Sequence, residues 1–153
     1  MVERRSALAG QLDGGGRAGA DGKRLVKLGE ARGWSLVQVA GFPSTMSEVE
    51  RLLRPILVAI PPHQIGMAVT AEDRLLLRTG PEQLWIVGPD GDDAGERAYR
   101  AIPAEMGAVT PLSHSRTRIV IEGESARAVL AKSLPIDVDP AVFAVGRFAL
   151  TGI

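Results

Sequence analysis

The strongest constraint on this chain is the order of apolar patterns between Trp34 and Leu112. Ser35 to Ala40 (Ser-Leu-Val-Gln-Val-Ala) is a short β-type run that stops at Gly41-Phe42-Pro43. Val49, Leu52, Leu53, Ile56 and Leu57 then follow at the i, i+3, i+4, i+7, i+8 spacing of one helical face. Ser47-Glu48-Val49-Glu50 reads as a capping box for that helix, and Pro55, which lacks an N–H, predicts an end or kink. Arg74 to Thr79 and Leu84 to Gly88 read as strands joined by the Gly80-Pro81-Glu82-Gln83 turn. A second helix is expected over Ala94 to Met106, with Ala98, Tyr99, Ala101 and Ile102 inward, and a strand over Ala108 to Leu112. This order is β-α-β-β-α-β, the split β-α-β (ferredoxin-like) unit of an α+β fold.

The pattern then restarts. Arg116 to Ile121 reads as a strand, Glu124 to Lys132 as a helix using Ala126, Val129 and Leu130, and Phe148 to Thr151 as the beginning of another strand. The expected organisation is therefore a flexible N-terminal arm at 1–33, a first unit at 34–112 and a partial second unit at 113–153, within one compact domain. The arm is expected because Gly14-Gly15-Gly16, Gly19, Gly22, Gly29 and Gly33 interrupt any helical or strand period. A half-finished second sheet leaves an edge that something else must cover.

Composition excludes several kinds of function. The 18 basic and 18 acidic residues cancel, so the bulk charge expected of a nucleic-acid binder is missing. Cysteine is absent, which excludes disulfides, thiolate metal sites and a thiol nucleophile. No apolar run reaches the roughly 18–20 residues of a membrane span, and Met1 to Gly10 lacks a signal-peptide core, so the expected location is cytoplasmic, with no membrane partner.

The chemical motifs are weak. Gly14-Gly15-Gly16-Arg17-Ala18-Gly19 spells a dinucleotide fingerprint, but no strand feeds it and no amphipathic helix follows. Asp90, Asp92 and Gly95 resemble a calcium loop whose twelfth position is Ala101 rather than a glutamate. His63 and His114 are the only histidines, too few for a histidine-based catalytic zinc site. Ser113 and His114 are adjacent, so on a strand they point to opposite faces, and no nucleophile elbow is present. The most informative local feature is His114, Arg116 and Arg118. On a regular strand these share one face, spaced by roughly 6.6–7 Å, as a candidate contact for a partner's carboxylates or an anion. A solvated face that discourages edge pairing is the competing reading. The residues alone point to a binding or assembly domain without catalytic, cofactor-binding or metal residues of its own.

Three stretches carry a family resemblance: Trp34-Ser-Leu-Val-Gln-Val-Ala-Gly-Phe-Pro43, Arg78-Thr-Gly-Pro-Glu-Gln-Leu-Trp-Ile-Val-Gly-Pro-Asp90, and Leu112-Ser-His-Ser-Arg-Thr-Arg-Ile-Val-Ile-Glu-Gly123 continuing through Ser125-Ala-Arg-Ala-Val-Leu-Ala-Lys132 to Pro135-Ile-Asp137. Together they resemble the gamma subunits of heterotetrameric sarcosine oxidase, a family similar in fold to the folate-binding domain of aminomethyltransferases. The resemblance implies a duplicated split β-α-β fold. It implies a non-catalytic subunit of an oxidoreductase that demethylates sarcosine to glycine and passes the one-carbon unit to tetrahydrofolate. It further implies alpha, beta and delta subunits as partners, with FAD, FMN, NAD and tetrahydrofolate on the alpha and beta subunits and zinc on the delta subunit. No cofactor is expected on this chain. The alternative is a stand-alone folate-binding protein in which His114, Arg116 and Arg118 meet a glutamate tail.

Overall fold

The computed structural model describes Ser6, Leu8, Ala9, Arg17, Ala18 and residues 24–151. The triple-glycine tract and most of the expected arm lie outside the described residues. Along the chain run β1 (Arg17–Ala18), β2 (Arg24–Ala31), β3 (Trp34–Gly41), α1 (Met46–Leu57), β4 (Ala68–Ala71), β5 (Arg74–Gly80), β6 (Gln83–Pro89), α2 (Ala94–Ala101), β7 (Gly107–Pro111), a 3-10 turn at Ser113–Ser115, β8 (Arg118–Glu122) and α3 (Ala126–Ser133). They divide between two compact units. One comprises Gly33–Ser115 with Val145–Leu150; the other comprises the described residues up to Arg32, Arg116–Ala144 and Thr151.

The first of these is a five-stranded antiparallel sheet in the order β4-β5-β6-β3-β7, with helices on one face. Leaving aside the short edge strand β4, the chain order is β-α-β-β-α-β, the split arrangement expected from the pattern. Alternation builds its core. Val39 from β3, Leu76 from β5, and Leu84 and Ile86 from β6 face Val49, Leu53, Ile56 and Leu57 of α1 and Ala94, Ala98 and Ile102 of α2. Helix α2 lies close to the sheet because Gly95 has no side chain: a Cβ there would come within 2.6 Å of Val37 Cγ2. Residues 145–150 return to this unit. Met67 bridges Arg147, Ala68 N–H donates to Gly146 O (2.7 Å), and Phe148 N–H donates to Gly66 O (2.9 Å).

The other unit holds a three-stranded sheet, β1-β2-β8, with β2 and β8 paired antiparallel from Lys27↔Glu122 to Ala31↔Arg118. Helix α3 packs against β2, and Ser125 N–H donates to Leu25 O (3.2 Å).

Several expectations need correction. The arm expected at 1–33 contains β2, because its residues from Lys27 to Ala31 pair with β8, where Leu28 meets Ile121, a long-range pairing that outweighs the glycine at 29. The strand expected from Arg116 begins at Arg118, and the strand expected at Phe148–Thr151 is an isolated bridge and loop. Helix α1 begins after Thr45, so Ser47 sits inside the first turn and makes no capping box. Thr45 Oγ1 accepts from Phe42 N–H (3.0 Å) and donates to Met106 O (2.6 Å). Pro55 is accommodated inside α1, which runs two residues further and closes at Val58 in the left-handed region (φ 53°). Helix α2 stops at Ala101, as Ile102 turns extended, and Tyr99 is 71% exposed rather than inward.

Candidate interaction surface

The residues singled out in the sequence do not form a row. His114 lies in the 3-10 turn, Arg116 and Thr117 precede β8, and Arg118 is the first residue of β8. All three side chains are exposed, and His114 belongs to one unit while Arg116 and Arg118 belong to the other. The reason lies in the hydrogen bonds of the two serines that flank His114. Ser113 Oγ accepts from Leu36 N–H (2.9 Å) and donates to Leu36 O (3.3 Å), completing the β3–β7 ladder with a side chain. Ser115 N–H and Ser115 Oγ both donate to Leu112 O (2.9 Å each). The Leu112-Ser-His-Ser115 stretch is thus a strand terminator, where the alternation of residue types suggests a continuing strand.

Two part-buried ion pairs, invisible to local pattern, fix the five-stranded unit. Arg78 is 3% exposed and pairs with Glu50 of α1; its Nε and Nη1 donate to Pro62 O and Pro81 O (2.9 Å each). Arg74 binds Asp92 in bidentate fashion (2.8 and 2.7 Å), and Asp92 Oδ1 also accepts from Ala94 N–H (3.0 Å) at the start of α2. The Arg74 guanidinium holds the Asp92 carboxyl below the ordinary aspartate range, against burial, with the Ala94 amide assisting. Both arginines are committed within the fold rather than offered to a ligand. Arg74, Leu76 and Arg78 share the helix-covered face of β5 by strand alternation, so both arginines tie helices to sheet.

The three-stranded unit is different in character. Among its described hydrophobic residues only Val138 is buried, while Leu25, Leu28, Ile119, Val129 and Val142 are exposed. Register assigns its two faces. Lys27, Gly29 and Ala31 share one with Glu122, Val120 and Arg118; Leu28 and Glu30 share the other with Ile121 and Ile119. The first face is a shallow depression lined by Lys27, Gly29, Ala31, Val120 and Glu122, with Lys27 Nζ 3.8 Å from Glu122 Oε2. At its margin Glu30 accepts from Ser6 Oγ (2.5 Å) and Arg32 Nε (3.1 Å). Those contacts, the Ser6 hydroxyl foremost, hold the Glu30 carboxyl below the ordinary glutamate range. Arg127 of α3 donates to Val138 O and Phe143 O, which anchors the segment after the helix.

The five-stranded unit also leaves Phe42, Val58, Ile60 and Ile65 exposed. Among the described residues there is no group of three or more His, Asp or Glu placed to hold a metal ion. No helix among them is long and apolar enough to cross a membrane. Among the described residues the geometry presents exposed apolar side chains and sheet edges with no strand beside them, the material of an assembly interface.

Comparison with known proteins agrees with that character. No protein-family profile matches the chain. It is 34% identical over 91 residues to the sarcosine oxidase subunit gamma of Arthrobacter sp., covering 59% of this chain and 45% of that protein. It is 33% identical over 85 residues to the sarcosine oxidase subunit gamma of Corynebacterium sp. strain P-1, covering 55% and 42% respectively. The chain thus matches less than half the length of these curated relatives. In three dimensions it is similar to a chain of heterotetrameric sarcosine oxidase from Corynebacterium sp. U-96, with a TM-score of 0.78, 25% identity, and coverage of 94% of this chain and 73% of that one. It also shares fold with the glycine cleavage system aminomethyltransferase T of Bartonella henselae, at a TM-score of 0.50 and 18% identity over 69% of this chain and 31% of that one.

Proposed function

We propose that this chain serves as a gamma-type, non-catalytic subunit of a heterotetrameric sarcosine oxidase. In that role it supports oxidative demethylation of sarcosine to glycine, with the one-carbon unit passing to tetrahydrofolate. The observation that carries the reading is the structural likeness to a chain of the Corynebacterium complex over 94% of this chain, joined to 34% identity with a curated gamma subunit. The exposed apolar residues of both units supply surface for alpha, beta and delta partners, and the flavins, NAD, folate and zinc reside on those partners. The complex works in the cytoplasm. The duplicated split β-α-β architecture of the aminomethyltransferase folate-binding domain is part of the same proposal.

The test is assembly. Co-expressed with alpha, beta and delta subunits from the same source, a tagged copy of this chain should bring down all three and a flavin absorbance spectrum. The purified chain alone should neither oxidise sarcosine nor bind a folate derivative at micromolar concentration. Failure to recover flavin-bearing partners, or micromolar folate binding by the isolated chain, would overturn the reading.

A further inference from the structure

The segment that leaves α1 is pinned from beneath. Ala59 packs against the core of the five-stranded unit, and Pro61 is fully buried. The Pro62 carbonyl accepts from Arg78 Nε (2.9 Å), and that guanidinium is itself held by Glu50 and Pro81 O. The far end is stitched as well. Gly66 N–H donates to Arg78 O (3.0 Å), Gly66 O accepts from Phe148 N–H (2.9 Å), and Met67 N–H donates to Gln64 O (3.2 Å). A backbone fixed in its middle and at its end does not expose side chains by fraying. Yet Val58 is 69% exposed, Ile60 58% and Ile65 51%. Val58 is also held at φ 53°, a conformation that costs a β-branched residue stability.

We propose that residues 58–65 are a docking loop, which inserts Val58, Ile60 and Ile65 into an apolar recess, rimmed by carboxylates, on a partner subunit. The proposal rests on the subunit role proposed above and assigns it a contact. Single exposed apolar residues are ordinary. Three on one ordered loop, one of them in a strained conformation, are what a preorganised contact requires, because a loop already fixed in the free chain loses little entropy on binding.

Charge sets the chemistry of the recess. From Pro55 to Ala71 the chain carries no Asp, Glu, Lys or Arg, although 24% of its residues are charged. The centre of an interface is depleted in charge and its rim is polar. Here charge returns at the border. Arg54 is exposed one turn before Val58, whose N–H donates to Arg54 O (3.0 Å), and its side chain has no ion-pair partner among the described residues. Arg97 Nη2 donates to Pro55 O (3.3 Å), which brings a second guanidinium to the end of α1, 3.8 Å from Asp93 at its Nη1. A guanidinium at an interface margin calls for carboxylates opposite, which fixes the partner's rim as acidic.

The experiment uses the assembled complex. A tagged native chain, co-expressed with the partner subunits, should retain them through purification. Ile60→Glu and Ile65→Glu should each weaken that association about a hundredfold, because each would place an unpaired carboxylate in the recess, while Ile65→Leu should preserve it. Val58→Gly separates docking from a structural role and from misfolding. It relieves the strained helix end, so the chain should gain thermal stability, yet association should fall about fivefold or more. A photo-reactive benzophenone amino acid in place of Ile60 should cross-link to a partner subunit. Glutamate variants that hold their partners as the native chain does, a stabilised Val58→Gly chain that associates equally well, or a cross-link only to other residues of the same chain would each overturn the docking loop and leave the subunit role standing. A native chain that recovers no partner would overturn both.

Discussion

Single side chains in this protein hold elements that are distant in sequence, and Glu50 is the clearest case. It is the partly buried partner of the buried Arg78, 28 residues away, and without it the guanidinium keeps only carbonyl acceptors. Glu50→Gln should lower stability by about 3 kcal/mol in denaturant unfolding, the scale of an uncompensated buried charge. Replacing both partners by apolar residues, Glu50→Leu with Arg78→Met, should cost less than Glu50→Gln alone. Asp92 adds a pH dependence. Its folded-state pKa is depressed below its unfolded value, so the stability it contributes is present above about pH 4 and is lost as pH falls through the folded-state pKa. Asp92→Asn should therefore destabilise the chain by about 2 kcal/mol at neutral pH, and the difference from the native chain should shrink steadily in acid, read from urea midpoints between pH 7 and pH 2.

At the scale of elements, one helix end is strained. Val58 closes α1 at φ 53°, a left-handed conformation that a β-branched residue tolerates poorly. Val58→Gly should raise stability by about 1 kcal/mol, visible as an increase in Tm. The same elements mark what the sequence discloses. Amphipathic α1 and the strands β3, β5 and β6 are legible because their apolar spacing is local and their buried faces are continuous. The capping box misleads because Ser47 and Glu50 have the right spacing, but Glu50 is committed to Arg78 in β5. Strand β2 is hidden by Gly29 and by a partner, β8, that lies far along the chain. The candidate row fails for a related reason: whether His114, Arg116 and Arg118 share a face depends on Ser113 bonding Leu36, a contact across 77 residues. What is legible at the surface is the residue type, an arginine on an exposed strand edge, without its geometry.

At the scale of the whole molecule, burial is uneven. Val138 is the one buried hydrophobic residue described in the three-stranded unit; all others belong to the five-stranded one. Amide hydrogen exchange should follow this division, with β2 and β8 losing protection well before β3 and β6; equal protection in the two sheets would contradict it. Connectivity has a consequence of its own. Residues 145–150 fasten the start of β4 through Gly66, Met67 and Ala68, although that unit's other strands are complete by residue 111. A ribosome making this chain therefore releases the helices and sheet of that unit long before their last fastening exists. Until Phe148 clears the exit tunnel, the margin beside β4 stays open, so nascent chains stalled before that point should be cut by protease near Gly66 while released full-length chains resist.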